Sequence, residues 1–409
     1  MRCEYGICKI GTRCNIISGY AFRSSDWKRE GLPVIKIGNI SNGEDVIVDE
    51  QTQYVDESFY IAIDSKYQIK KGDILISLTG SHINQPNSMV GRCCRNYDGR
   101  VFLLNQRAGK IMPLELADGS YLYYLFATKA IKYDIANHAY GGANQVNVSP
   151  KDIMNIKWNF PNIDTQRKIA NILSAYDDLI ENNNRRIRIL EQMAENLYKE
   201  WFSYDKSQKA SSEVRLKEII QIVRGLSYST EEIDVDKGNN LVNLKNIQAF
   251  GGFRHEGTKL YAGKYKNEQI VYCGDLIMGV ADMTQDRRTV GSVALVPKID
   301  GISVISADLI KILSEIDNMF LFAMFKYGNV SKHISQFANG ANVLHLRPQA
   351  MLNIKVMLPS HDMIDKYVRI TKPMFYEIEF LYQSNRNLSK QRDMLLPRLI
   401  SDCLEVKND

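Results

Sequence analysis

The chain has 409 residues, 44% of them apolar, with a net charge of +5 and a pI near 8.6. That length allows two or three domains, each with its own core. No run approaches the roughly 18 apolar residues of a membrane-spanning helix, and the mildly basic balance permits a nucleic-acid partner without requiring one.

The N-terminal stretch MRCEYGICKIGTRC lacks the apolar core of a signal peptide. Seven cysteines occur without a C-x-x-C spacing, and Cys93 and Cys94 are adjacent, which suits neither an ordinary disulfide nor a zinc knuckle. The expectation is reduced thiols in a cytoplasmic protein.

In chain order, Leu32 to Ile40 is an apolar β-type run closing on Asn39-Ile40. Gly72-Asp73 is a turn feeding the strand Ile74 to Ser77, and Val90-Gly91 follows. Tyr121 to Ile135 is an aromatic-rich helical segment, succeeded by Gly141-Gly142-Ala143-Asn144, Ser149-Pro150, Asn155-Ile156 and Pro161. From Asp164 to Phe202, Ile169, Leu173, Tyr176, Ile180, Asn183, Ile187, Leu190, Ala194, Leu197 and Trp201 recur at alternating steps of four and three. A spacing averaging about 3.5 residues puts one narrow stripe along a long helix, and such a stripe needs a partner helix. About 38 helical residues span roughly 57 Å, which predicts a rod.

After a small polar stretch at 203–212, read as a linker, the chain repeats itself. Asn240 to Ile247 answers Leu32 to Ile40, Gly274 to Gly279 answers Gly72 to Ser77, and Val290-Gly291 answers Val90-Gly91. Met319 to Ser335 is again helical and aromatic. Asn339-Gly340-Ala341-Asn342 aligns with Gly141 to Asn144, so Gly340 falls against Gly142, and Pro348, Asn353-Ile354 and Pro359 complete the series. One duplicated domain-sized unit explains this order. A second helix, His361 to Leu404, carries Ile364, Val368, Thr371, Phe375, Ile378, Leu381, Asn385, Leu388 and Leu395 as its stripe, with a kink or break expected between about Arg369 and Pro373. The predicted fold is α+β: heads at 1–161 and 205–359 (with 205–213 as linker), separated by helices at 162–204 and 360–409 that pair antiparallel as an intramolecular coiled coil.

No catalytic motif is present. There is no Pro-Pro pair, so the Asn/Asp-Pro-Pro-aromatic motif of adenine methyltransferases is missing, and no glycine-rich phosphate loop or G-x-S-x-G elbow occurs. The six histidines, at 82, 138, 255, 333, 345 and 361, show no metal-ligand spacing. Two polar loops follow the Gly-Asp strands and differ between the repeats. One carries Thr79, Ser81, His82 and Asn84; the other carries Thr284, Gln285, Arg287 and Arg288. Arg, Asn and Gln make paired hydrogen bonds to guanine and adenine in the major groove, so these are candidate DNA contacts, with solvated loops as the bland reading. Gln106 and Arg107 are weaker candidates. Asn144, Gln145, Asn342 and His345, in and after the glycine loops, read either as base contacts or as parts of turns that need glycine anyway.

Taken together, Ser18-Gly19-Tyr20-Ala21-Phe22, Leu32 to Ile40, the two Gly-Asp strands, Ser149-Pro150-Lys151-Asp152-Ile153, and Gln166 to Ile169 running into the Asn-Asn-Asn-Arg-Arg-Ile run resemble the specificity subunit of type I restriction-modification systems. The resemblance covers nearly the whole chain. It departs in the second half, where Asp362-Met363-Ile364-Asp365 stands in place of Gln-x-x-Ile. It implies two target recognition domains that each read half of a split double-stranded DNA site, and helices on which two methyltransferase subunits dock. Asn183, Arg186, Ile187, Leu190, Asn385 and Leu388 are the implied docking positions. The partner would bind S-adenosylmethionine and methylate adenine, and a restriction subunit with ATP could join; this chain would be non-catalytic and hold no cofactor or metal. The competing expectation is a non-catalytic coiled-coil scaffold with degenerate heads, which a footprint of a split site would dismiss.

Overall fold

The computed structural model describes residues 6–41, 45–49, 51–81, 90–97, 99–142, 145–202, 211–234 and 236–401. The chain forms two compact units: Met1–Glu181 with Asn385–Asp409, and Asn182–Ser384. Each unit therefore takes a head and a part of each long helix.

In the first unit a five-stranded sheet runs in the order Trp27–Lys28, Gln53–Val55, Leu32–Ile35, Phe102–Leu104, Gln68–Ile69. A four-stranded sheet runs Cys14–Ser18, Ala108–Pro113, Ile74–Ser77, Cys93–Arg95. The pairing is antiparallel except between Leu32–Ile35 and Phe102–Leu104. The second unit, taken by itself, has the same two sheets in the same order. Ile233–Asp234, Lys259–Tyr261, Asn239–Val242, Ser303–Ile305 and Ile270–Val271 form one; Gln221–Arg224, Leu309–Leu313, Leu276–Gly279 and Val293–Leu295 form the other.

The alternation of strand side chains explains why the Gly-Asp strands run apolar through three successive positions, Ile74-Leu75-Ile76 and Leu276-Ile277-Met278. Ile74 and Ile76 enter one core, with the helix Gly119–Ala127; Leu75 enters another, with Ile35 and Phe102. Leu276 and Met278 separate from Ile277 in the same way. A strand buried on both faces reads as a continuous apolar run. The same alternation sends Cys93 and Cys94 into different cores, and both are free thiols. Burial pushes the Cys93 thiol up to about 12.

Several repeated motifs prove to be backbone devices. Gly72 and Gly274 sit at φ +89° and +90°, where glycine is favoured, and the following aspartates close the turns. Asp73 accepts from the Lys70 amide at 2.8 Å and Asp275 from the Tyr272 amide at 2.9 Å. Buried Lys110 and Lys311 donate to the Gln68 and Ile270 carbonyls at 2.8 and 2.6 Å, so these cations serve the fold. The Asn-Ile pairs have one job in both units. Asn39 Oδ1 accepts from the Lys36 amide at 2.9 Å while its Nδ2 donates to Ile47 O and Thr52 Oγ1 at 2.9 and 3.0 Å. Asn246 does likewise with the Asn243 amide (2.9 Å), Arg254 O (2.8 Å) and Thr258 Oγ1 (2.8 Å). A buried amide so satisfied fixes the path of the loop around it.

The two long helices are Ile163–Phe202 and His361–Ile400. No member of either apolar stripe is exposed. In the first unit Ile169, Ala170 and Leu173 share a core with Leu399 and Ile400, while Asp177, further along, pairs with Arg392. In the second unit the Tyr367 hydroxyl donates to Ala194 O at 3.1 Å, Arg186 pairs with Glu377 at 2.5 Å, and Ile187 packs with Ile378 and Leu381. In each unit one number rises as the other falls, so the segments run antiparallel. Buried Gln166 fastens the start of the first helix: its Oε1 accepts from the Asp118 amide at 3.0 Å and its Nε2 donates to Pro161 O at 2.9 Å.

Three expectations are corrected. Of the kink or break expected near Pro373, the break is absent: the helix is continuous from His361 to Ile400. Proline removes only the hydrogen bond to the carbonyl four residues earlier, and packing on both sides keeps the helix together; buried Thr371 meanwhile donates to Tyr367 O at 2.9 Å. Residues 211–213, assigned to the linker, belong to the strand Ser211–Arg215, which pairs with Lys355–Pro359 as Gly6–Lys9 pairs with Lys157–Phe160. Its polar side chains point outward and only Val214 packs on the core, so it reads as a loop. The remainder of that linker, 205–210, lies outside the described residues. Each aromatic helical segment is two helices, Gly119–Ala127 with Lys129–Asn137 and Asn318–Tyr327 with Val330–Ser335, because Thr128 caps the second helix of the first pair and Asn329 turns left-handed (φ 60°) in the other.

Candidate nucleic-acid interface

Beyond each Gly-Asp strand the chain continues into a two-residue strand that meets the glycine-loop segment. In the second unit Ala281–Asp282 pairs with Leu344–His345, the Val280 amide donates to Asp308 O at 2.9 Å, and the Leu346 amide to Val280 O at 2.8 Å. In the first, Thr79–Gly80 pairs with Gln145–Asn147, the Leu78 amide donates to Arg107 O at 3.0 Å, and the Val148 amide to Leu78 O at 2.9 Å. So in each unit three segments distant in sequence converge on one edge. They hold Thr79, Ser81, Gln106, Arg107 and Gln145 in the first, and Thr284, Gln285, Arg287, Arg288, Asn342 and His345 in the second. His82, Asn84 and Asn144 lie outside the described residues.

The geometry separates side chains that build this edge from those it leaves open. Thr79 is buried, and its hydroxyl donates to Asn147 Oδ1 at 2.8 Å; Ser81 is also buried. Gln106, Arg107 and Gln145 are exposed. In the second unit buried Asp282 organises the loop. Its carboxylate accepts from the Thr284 amide and hydroxyl, both at 2.9 Å, from the Thr289 amide at 2.6 Å and from the Val290 amide at 3.4 Å. Burial acts to raise its pKa, but these donors outweigh it and hold the carboxyl below its usual value. Gln285 Nε2 donates to Ala341 O at 3.0 Å, tying the loop to the glycine turn. Arg288 pairs with Asp286 at 3.1 Å, and its carbonyl accepts from the Phe250 amide and the Ser292 hydroxyl, both at 2.8 Å. Asn342 and His345 are exposed.

The glycines of the loops have a backbone reason. A Cβ at Gly340, φ +152°, would stand 1.9 Å from Val343 O; at Gly141, φ +144°, it would stand 2.5 Å from Gln145 O. Tyr140 pairs with Asn147 and Asn339 with His345, so Gly141, not Gly142, is the counterpart of Gly340. The second hairpin is one residue shorter, which a sequence alignment without gaps hides.

Lys36 escapes the sequence reading. Its Nζ lies 4.0 Å above the Trp27 ring and bonds Gln53 Oε1. Burial first, and then the charge of nearby Arg107, lower its pKa. The available signal is that Lys36 is the one charged residue within Leu32 to Ile40. Position 107 is basic in the first unit, whereas its counterpart in the second is Asp308, so the two edges differ in charge.

The docking positions that the resemblance implies differ in exposure. Asn183 is buried, Ile187 and Leu190 are taken up against Ile378 and Leu381, and Arg186 by Glu377, all within the second unit. The stripe that makes a helix long and amphipathic is consumed by its partner helix. Asn385 and Leu388 are half-buried. The apolar side chains left exposed on the helices are Ile172, Leu179 and Met394 in the first unit and Ile189, Met193, Ile370, Tyr376 and Phe380 in the second. Among the described residues no helix is long and apolar enough to cross a membrane, and no group of three or more side chains could hold a metal ion.

Residues 4–192 match the type I restriction modification DNA specificity domain. The chain is 25% identical to the type I restriction enzyme MjaIX specificity subunit of Methanocaldococcus jannaschii, over 74% of this chain and 73% of the relative. It is 22% identical to the HindI specificity subunit of Haemophilus influenzae, over 82% and 87%. Its fold is similar to the crystal structure of the type I restriction-modification system S subunit from M. genitalium, with a TM-score of 0.58, 16% identity, and 97% and 96% of the two chains covered. The first half of the chain thus matches the type I restriction modification DNA specificity domain, and most of its length is similar to type I restriction enzyme specificity subunits.

Proposed function

We propose that the chain is the DNA-reading subunit of a methyltransferase complex, each unit reading one half of a bipartite site. The observation that supports this most is the duplicated edge: in both units the fold spends its motifs on building the same three-segment convergence and varies the side chains it leaves open there. Gln106, Arg107, Gln145 and Lys36 are the proposed contacts of the first unit; Arg287, Asn342 and His345 are those of the second. Phosphate contacts fix register while base edges specify, so a modest net charge suits a subunit whose partners supply further backbone contacts.

The exposed apolar side chains of the long helices are the proposed seats of two methyltransferase subunits, with Tyr376 and Phe380, one helical turn apart, as anchors on the second unit. The partner would hold S-adenosylmethionine and flip the target adenine into its own pocket, because N6 lies inside the stack. A restriction subunit with ATP could join, and the complex would work in the cytoplasm. The purified chain alone is expected to leave DNA unmethylated, and addition of the methyltransferase subunit to give methylation at a split site. Methyl transfer by the chain alone would overturn this assignment of roles.

A further inference from the structure

Within the 283–289 loop, most polar side chains are committed to the loop itself. Thr284 bonds Asp282, Gln285 bonds the glycine turn, and Asp286 and Arg288 bond each other. Arg287 is different: its side chain makes no hydrogen bond or ion pair with any described residue. Its backbone is also unusual. At φ 55° it occupies the left-handed region, which a long side chain enters only where the surroundings impose it. Here they do, since Asp282 grips the loop on both sides, at Thr284 and at Thr289 and Val290.

We infer that Arg287 is the side chain through which the second unit reads a guanine, and that Asp282 positions it. The assignment rests on the second unit being a DNA-reading head. A guanidinium presents two parallel donors that match O6 and N7 of guanine in the major groove, which no other base pair offers in that geometry. A rigid loop holding an uncommitted guanidinium meets the two needs of such a contact: the fork is pre-oriented, and no internal partner has to be given up on binding. Arg288, anchored by Asp286 and by its own carbonyl, is a lesser candidate for the same base. The first unit places Gly80 where the second has Asp282, so it lacks this device.

The test is selection from randomised duplex DNA by the full chain assembled with its methyltransferase subunit, followed by salt titration on the selected site. Wild type is expected to select a split site in which one position, in the half-site belonging to the second unit, prefers guanine by roughly tenfold to a hundredfold. R287A and R287G should lose that single preference and keep every other position. Glycine tolerates φ 55° without cost, so R287G keeps the loop free of a folding defect. R287K keeps the charge but not the fork; it should lose the preference with an unchanged salt slope. A motif unchanged in R287A and R287G, or a uniform loss of affinity at all positions, overturns the assignment to Arg287. Absence of any split site with wild type overturns the DNA-reading proposal itself.

Discussion

Replacing Asp177 by alanine is expected to destabilise the chain by about 3–5 kcal/mol, the range for removing one partner of a buried ion pair. Asp177 is 7% exposed on the first long helix. Its Oδ1 accepts from Arg392 Nη1 at 2.5 Å, and its Oδ2 from the Tyr124 hydroxyl at 2.5 Å and the Tyr97 hydroxyl at 3.4 Å. One carboxylate thus joins both long helices and the head within the first unit. Burial works against the Arg392 charge, yet Asp177, and then Asp393, more than offset it and hold the guanidinium above its usual pKa. Alanine leaves that half-buried cation with Asp393 alone and takes the carboxylate acceptor from two phenols. A fall in melting temperature on the order of 10 °C should follow. The double variant D177A/R392M should lose much less than the sum of the single changes, because it removes the stranded charge. A D177A melting curve matching that of wild type would show that the network contributes nothing.

Substituting Gly225 by alanine should be comparably severe but confined in its functional effect. A Cβ there would stand 2.0 Å from Ser306 O and 2.6 Å from Ile305 O. At this point the chain leaves the four-stranded sheet and bridges the end of the strand Ser303–Ile305 of the five-stranded one: the Gly225 amide donates to Leu309 O at 3.1 Å and the Leu226 amide to Ile305 O at 2.8 Å. Only glycine lets the backbones approach so closely, and overpacking of this kind costs about 1–3 kcal/mol or more. Gly19 has the same role, its Cβ falling 2.3 Å from Leu104 O. We expect G225A to abolish selection of one half-site and G19A of the other. Normal reading of both half-sites by G225A would refute the close-approach argument.

The duplicated order of motifs and the two helical stripes were legible in the residues because both are periodic signals: one in the chain, one on a helix face. The order of strands was not, since a parallel pair such as Leu32–Ile35 with Phe102–Leu104 leaves no local mark. Ser211–Arg215 was hidden by its polar side chains, and the continuity of the second helix by Pro373, where tertiary packing overrides propensity. The candidate contacts were harder still. Composition nominates Thr284, Gln285, Arg287 and Arg288 equally; only the geometry shows that Asp282 and the glycine turn absorb Thr284 and Gln285.

The central claim is that two separately folded heads each read their own part of one DNA site. It is tested most directly by exchanging residues 1–161 for the corresponding head of a family relative and selecting DNA sites with the assembled complex. The expected result is a new first half-site beside an unaltered second one. A site in which both halves change, or neither does, would contradict it.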